Sequence, residues 1–348
     1  MGKSILITGV SGLTGSYVAE YFSKIGWEVI GVSRNASKDQ FLSSLGIQTI
    51  NLDLSNPDCL DNLDITPDVV FNAAAYLGPI EGENSLKLMR FLNAIFPSML
   101  LRWSSKHQVQ SFFHVSSVAV YGQFTDAPIS ESLEPRPQYP YAKAKWLGEQ
   151  LLLEEYKMIS DGSHPIPKVS VFRPPYIVGK RDRNFAPEFI GRLLNGRLPQ
   201  IGNGNAMFSF VHPKDIAHAT EILVENQTSD YETYNIVSFM MSFKEFFTPF
   251  ATHFQIKRFP QFRLPYRMAW TAGLLVEIGK KATGKDPTRG LSRYRVKTIA
   301  KGREYDCSKL IDVGFSPKYQ YSQIFDEIVE DVKENPEKYG LDSEFFTS

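Results

Sequence analysis

Over the first half of the chain, short apolar runs alternate with longer stretches of helical periodicity. Ser4-Ile5-Leu6-Ile7-Thr8 is apolar and rich in β-branched side chains, the pattern of a strand buried on both faces. Similar runs predict strands at 27–32, 47–52, 68–71, 112–115 and 169–172. Residues 16–22 read as one helical face. From 86 to 106, Leu88, Phe91, Leu92, Ile95, Met99 and Leu100 recur at helical spacing and predict one long helix. Another runs from Pro140 to about Met158, because proline is tolerated in a first helical turn and not further in. Strands and helices in this order predict an α/β fold on a doubly wound parallel sheet. From about residue 176 the strands become sparse and the helices irregular. The expected division is a first domain over 1–175, with strands near 207–237 returning to it, and a smaller, mainly C-terminal substrate-binding domain over 176–348.

Glycines follow the first strand at Gly9, Gly12 and Gly15. Gly9 permits a tight turn, Gly12 lets a pyrophosphate approach the backbone, and Gly15 lets helix and strand pack closely. The helix N-terminus adds unpaired N–H groups and a positive dipole end. Gly9, Ser11, Gly12, Leu13, Thr14 and Gly15 therefore form the expected cradle for a dinucleotide on a Rossmann sheet. The second strand ends in Ser33-Arg34-Asn35. A carboxylate there would bond the ribose 2′-OH of NAD, whereas a hydroxyl and a guanidinium suit a 2′-phosphate. The expected cofactor is NADP, with NAD as the alternative. After the fourth strand, the small Ala73 and Ala74 let backbone approach the cofactor.

The spacing T-G-x-x-G-x-x-G from Thr8 to Gly15 resembles the extended short-chain dehydrogenase/reductase family, of the NAD-dependent epimerase/dehydratase kind. Two Tyr/Lys pairs lie four apart, Tyr139/Lys143 and Tyr141/Lys145. Pro140 puts Tyr139 ahead of the helix and selects the second pair, which is similar to the family's Y-x-x-x-K. The resemblance implies Tyr141 as general acid or base, and Lys145 as the cation that favours its phenolate and holds the nicotinamide ribose. It implies that Ser117 donates to the oxygen on which charge develops. Asn93 would hold a water in a proton relay, and Asp53-Leu54 would lie beside the adenine. Asp53 serves equally well as a cap for the segment after it, and Asn93 as a structural amide. Pro174, in Arg173-Pro174-Pro175, would fix the chain beside the nicotinamide. A homodimer, through the helices that hold Asn93 and residues 149–158, is implied as well.

Lysine plus arginine and aspartate plus glutamate both number 38, so no net basic field exists to hold nucleic acid or anionic lipid. At 43% hydrophobic and 22% charged, 348 residues suit one large or two fused globular domains. Cys59 and Cys307 have no disulfide-framework or metal-site spacing. No basic segment leads into a cleavable apolar one at the start, so a reducing cytoplasm is the expected location. The most apolar late stretch, 268–276, is far shorter than the ~20 residues that span a bilayer, and no stable membrane insertion is expected. It reads as helical core or a substrate lid, or as an interfacial helix, since Arg263, Arg267, Lys280 and Lys281 flank it.

The expected activity is an NADP(H)-dependent oxidoreductase that interconverts a secondary alcohol and a ketone on a small, mostly apolar substrate of steroid, flavonoid or long-chain type. Tyr176 stands after Arg173-Pro174-Pro175 where nucleotide-sugar enzymes usually carry asparagine, and 206–210 lacks the cation that would grip a diphosphate. The surrounding region is instead rich in Phe, Met and Tyr. Asp215-Ile216-Ala217 and Tyr305-Asp306-Cys307-Ser308-Lys309 are similar to segments of the 3β-hydroxysteroid dehydrogenase-like and dihydroflavonol-reductase-like branches. The alternatives are a nucleotide-sugar epimerase, dehydratase or reductase, which a cation in the substrate cleft would favour, and a non-catalytic sensor of the NADP pool.

Overall fold

A computed structural model describes residues 3–342 apart from 62, 81, 123, 126, 127, 163, 164, 284–286, 288 and 289. Its strands are β1 (Ser4–Thr8), β2 (Glu28–Ser33), β3 (Gln48–Asn51), β4 (Val69–Asn72), β5 (Ser111–Val115), β6 (Lys168–Arg173), β7 (Tyr176–Ile177), β8 (Pro199–Ile201), β9 (Met207–Val211), β10 (Tyr231–Asn235), β11 (Phe239–Ser242) and β12 (Phe262–Leu264). Seven of them form one sheet in the order β10-β6-β5-β4-β1-β2-β3, and every pairing in it is parallel. The strand order reverses between β1 and β4. In a doubly wound sheet, that switch point is where a crevice opens beyond the strands' carboxyl ends.

Alternation along the strands loads both faces. Ile5, Ile7 and Phe71 pack on one side with Val18 and Phe22 of helix Leu13–Lys24 and with Ile216 and Leu223 of helix Pro213–Asn226. Leu6, Val70 and Phe112 pack on the other with Phe96, Leu100 and Trp103 of helix Phe96–Lys106. A sheet buried on both faces needs near-continuous apolar strands, which is why these runs are legible in the sequence.

The predicted long helix is interrupted. Gly82–Arg90 passes through a π turn at Phe91–Ile95 into Phe96–Lys106, and the Phe96 N–H donates to Phe91 O, five residues back. Pro97 supplies the reason: it has no N–H to give to the carbonyl of Asn93, four residues earlier.

Of the strands near 207–237, β10 pairs with β6 in the main sheet, while β9 lies in a three-stranded sheet between β11 and β7. Phe208 and Phe210 of β9 point into a second core with Phe246, Phe247 and Phe250, all buried. Glu327 ties the two parts together: it accepts from Tyr17 Oη at 2.8 Å and lies 3.1 Å from His212 Nε2. A small third core of Ile201, Ala269 and Val296 holds helix Tyr266–Ala282 against helix Arg293–Lys301.

Candidate active site

β1 ends in Thr8, and the chain turns at Gly9 with φ +67. A β-carbon on Gly9 would lie 2.8 Å from Ala74 N and 2.9 Å from Ala73 C, so only glycine lets the turn pack on the segment after β4. On Gly15 a β-carbon would lie 2.4 Å from Gly9 O. Gly12 is the N-cap of helix Leu13–Lys24 and provides no side-chain cap. The first N–H groups of that helix, from Leu13 and Thr14 onward, face the turn uncapped, as an anion-binding cradle requires. Ser11 Oγ and Ser33 Oγ are 2.7 Å apart and join the cradle to the end of β2. Arg34, next in the chain, is exposed. The Asp53 carboxylate accepts from Ser55 N at 3.0 Å and Ser55 Oγ at 2.8 Å; these bonds, and more weakly the Arg34 charge, hold its pKa below the usual range. Leu54 is buried behind it.

Behind the cradle a polar row crosses the sheet. Thr8 Oγ1 donates to Asn72 Oδ1 at 2.7 Å, and Asn72 Nδ2 lies 3.1 Å from His114 Nδ1. Burial, and then the Lys145 charge, keep His114 well below the ordinary imidazole range.

Tyr139 caps helix Pro140–Ser160, with Pro140 in its first turn, so Tyr141 and Lys145 share one face of that helix. Lys145 is 1% exposed, and its Nζ donates to Val115 O, at the end of β5, at 2.8 Å. Burial pushes its pKa down to about 8, against the pull of Glu149 one turn on. Burial pushes the Tyr141 hydroxyl up to about 12, opposed by a hydrogen bond with Ser117. Burial thus acts against the lowering expected from Lys145, whose ammonium is engaged by Val115 O. Ser117 Oγ also accepts from Ala119 N at 3.2 Å. Pro174 O accepts from Val118 N at 3.2 Å, which ties the exit of β6 to the serine loop. Asn93, fully buried, brackets the Tyr76 peptide: Tyr76 N donates to its Oδ1 at 2.7 Å and its Nδ2 donates to Tyr76 O at 3.0 Å.

The sequence reading missed the network beneath Ser117. Arg173 grips Glu149 through Nε (3.1 and 3.2 Å) and Nη2 (2.5 Å), and Glu149 also accepts from Ser116 Oγ. Arg173 Nη1 donates to Tyr121 Oη at 3.0 Å, and Tyr121 donates to Asn235 Oδ1 at 2.8 Å. Glu149, four residues after Lys145, was the available signal: it falls on the same helix face.

The surroundings of β9 bear on two of the expectations. Phe208, Phe210, Phe243, Phe246, Phe247 and Phe250 are buried in the second core. The cation missing from 206–210 arrives from another segment. Arg303 N donates to Met207 O at 2.7 Å and Ser209 N to Arg303 O at 3.2 Å, so Arg303 lies beside β9. Its guanidinium lies 4.2 Å from the Phe124 ring centre and 5.1 Å from that of Tyr294, while its Nε and Nη2 are buried and have no hydrogen-bond partner among the described residues. Tyr294 packs 5.3 Å from Tyr139, which stacks 6.4 Å from Tyr141. Phe124, Tyr294, Arg136 and Lys297 line a cavity of about 420 Å³ there. A larger cavity of about 780 Å³ lies beside helix Leu13–Lys24. Its charges are largely paired with one another, as in Arg181 with Glu20 and Lys338 with Asp331.

The NAD dependent epimerase/dehydratase family matches residues 5–237. N-acetyl-α-D-glucosaminyl-diphospho-ditrans,octacis-undecaprenol 4-epimerase of Escherichia coli O157:H7 is 27% identical over 226 residues, 65% of this chain and 66% of that relative. Sterol-4-alpha-carboxylate 3-dehydrogenase, decarboxylating, of Dictyostelium discoideum is 25% identical over 228 residues, 64% of this chain and 68% of that one. The structure of UDP-glucuronic acid 4-epimerase from Bacillus cereus in complex with NAD shares the fold at a TM-score of 0.70, with 22% identity over 95% of this chain and 99% of that one.

Proposed function

The chain belongs to the NAD dependent epimerase/dehydratase family, among the extended short-chain dehydrogenases/reductases, and on that premise we propose that it acts on a CH–OH group of a sugar joined to a diphosphate, with NADP(H) as cofactor. Arg303 carries this reading. A buried guanidinium with unpaired N–H groups is costly, and a diphosphate would satisfy them. Lys297 lines the adjoining cavity with Phe124 and Tyr294, the rings that Arg303 packs on, and adds a second cation. The Escherichia coli relative, whose substrate is a sugar diphosphate, supports the reading.

A bound nicotinamide dinucleotide supplies the hydride acceptor and, in the return step, the donor. The uncapped helix end and the crowded Gly9 and Gly15 fit its pyrophosphate. Tyr141 accepts the proton of the carbinol as its oxygen becomes a carbonyl, and returns it when the carbonyl is reduced. Its raised pKa suits donation; accepting requires added positive charge, which an oxidised nicotinamide bound there would supply together with Lys145 on the same helix face. Ser117, already bonded to Tyr141, donates to the substrate oxygen. Lys145 holds the nicotinamide ribose, and Asn93 supports a water relay behind it. Arg34, with no carboxylate at Ser33, takes the 2′-phosphate. Exposed Leu86, Ile95 and Met158, on the helices around Asn93 and Tyr141, support a homodimer there.

The test is incubation with NADP⁺ or NAD⁺ and either UDP-N-acetylglucosamine or its polyprenyl-diphosphate counterpart, with sugar products separated by chromatography. Altered sugar at the expense of either substrate is expected. Turnover confined to steroid or flavonoid ketones would overturn the reading.

A further inference from the structure

Helix Tyr266–Ala282 is buried only at Ala269 and Gly273. On the opposite side, Met268, Thr271, Leu275 and Ile278 recur at helical spacing, with Met268 61%, Leu275 65% and Ile278 56% exposed. Helices of a water-soluble surface normally put charge on that side. Here the sole carboxylate of the helix, Glu277, is turned inward onto Arg293, with Oε2 2.8 Å from its Nη2. Exposed Arg263, Arg267 and Lys281 rim the stripe. The sequence from 257 to 301 has twelve lysines and arginines against two acidic residues, in a chain whose totals balance.

We propose that this face docks on the surface of an anionic lipid bilayer. Its apolar side chains would enter the interface while the rimming cations meet acidic headgroups. Charge chooses this occupant over a second copy of the chain, because two copies apposed here would bring like charges together. The helix is too short and too polar at its ends to cross the bilayer, so binding is peripheral and reversible.

The position gives the docking a use. Gly273 packs on the main chain of Ser292 and Arg293, where a β-carbon would meet Arg293 N at 3.0 Å. The next helix, Arg293–Lys301, carries Tyr294 and Lys297 of the substrate-side cavity. The membrane face is therefore one helix away from the diphosphate site. Resting on the sugar-diphosphate reading, the substrate class is a sugar diphosphate carried on a lipid tail, presented from the bilayer.

Flotation of the full chain with vesicles of phosphatidylethanolamine and phosphatidylglycerol, against vesicles of phosphatidylcholine, tests the docking. The chain is expected to float with the anionic vesicles at least tenfold more than with the neutral ones. Leu275→Glu and Ile278→Glu, both at exposed positions, should each lower that binding at least tenfold while NADP⁺ affinity stays within twofold. No flotation of the wild-type chain, or equal flotation of Leu275→Glu, would overturn the proposal. So would a dimer in light scattering that Leu275→Glu dissolves, since a second copy would then own the face. Turnover is read separately: vesicle binding without conversion of a polyprenyl-diphosphate sugar would sink the substrate reading and leave the docking face standing.

Discussion

Gly148 lies so close to the main-chain carbonyl of Asn93 that a β-carbon there would sit 2.3 Å from its oxygen. The π turn that frees this carbonyl and the helix that carries Tyr141 meet at that point. Gly148→Ala must therefore push the two helices apart, and is expected to cost about 1–3 kcal/mol, as overpacking does. Gly279→Ala is the contrast, since nothing lies within 4 Å of its β-carbon position. It should be neutral or stabilising by about 0.4–1 kcal/mol. Urea denaturation of the two variants measures both; equal effects would contradict the close approach.

Glu149 and Arg173 are each 5% exposed and satisfy one another. Removing one partner leaves an unpaired buried charge, so Arg173→Met is expected to cost about 3–5 kcal/mol. The double variant Glu149→Leu with Arg173→Met should recover much of that loss. Its turnover should remain low, because Ser116 loses the carboxylate that anchors the serine loop. A double variant as unstable as the single would show that shape, not charge, sets the cost.

Tyr141→Phe should lower turnover by about 10²–10⁴-fold, the usual share of a general acid–base group. Cofactor affinity should stay within a few-fold, because the hydroxyl and not the ring is lost. Kinetics together with fluorescence titration of NADPH check this. Retained activity would point to Tyr139, whose ring stacks on Tyr141.

His114 makes stability depend on pH. Asn72 Oδ1 accepts from Thr8 and from Ala74 N, so Asn72 Nδ2 is the donor to His114 Nδ1, and the neutral ring carries its proton on Nε2. In the unfolded chain the ring protonates below about pH 6.5. The folded-state pKa is depressed, so below that pH the unfolded state binds more protons. The stability contribution is fully present above 6.5 and is lost as pH falls toward the folded value. Unfolding free energies from urea denaturation at several pH values between 7.5 and 5 should fall with acid, by up to about 1.4 kcal/mol per pH unit from this residue. His114→Phe should flatten the slope, and an unchanged slope would contradict the assignment.

The parallel sheet and the Tyr141 helix were legible because each rests on local pattern: apolar strands, a glycine turn, a proline at a helix start. The π turn was not, since the periodicity of Leu88 to Leu100 continues through it and only Pro97 marks the missing donor. Arg303 was invisible for a different reason. It reaches β9 across a chain separation of nearly a hundred residues, and no periodicity records such a pairing. The aromatic residues of 206–250 could not be placed from composition, which does not distinguish a Phe that lines a cleft from one that fills a core. Glu149 and Arg173 lay in view, but their coupling is tertiary.

Arg34→Ala is expected to weaken NADPH binding at least about tenfold and NADH binding much less. A charge-assisted hydrogen bond is worth roughly 1.5–3 kcal/mol, and each 1.4 kcal/mol is about tenfold in affinity. The end of β2 offers Ser33, bonded to Ser11, in place of a carboxylate, so a ribose bound there would meet no negative partner from that strand. Asp53 lies near enough to feel the Arg34 charge. Without Arg34 that carboxylate would stand unopposed beside a 2′-phosphate bound there, which would add repulsion for NADPH alone. Lys38, exposed in the turn Ala36–Lys38, can share the phosphate, so Arg34→Ala with Lys38→Ala should widen the gap between the cofactors. Fluorescence titration with both cofactors reads the effect directly. Equal losses would mean that Arg34 stacks on adenine instead, and tighter wild-type binding of NADH than of NADPH would assign the site to NAD.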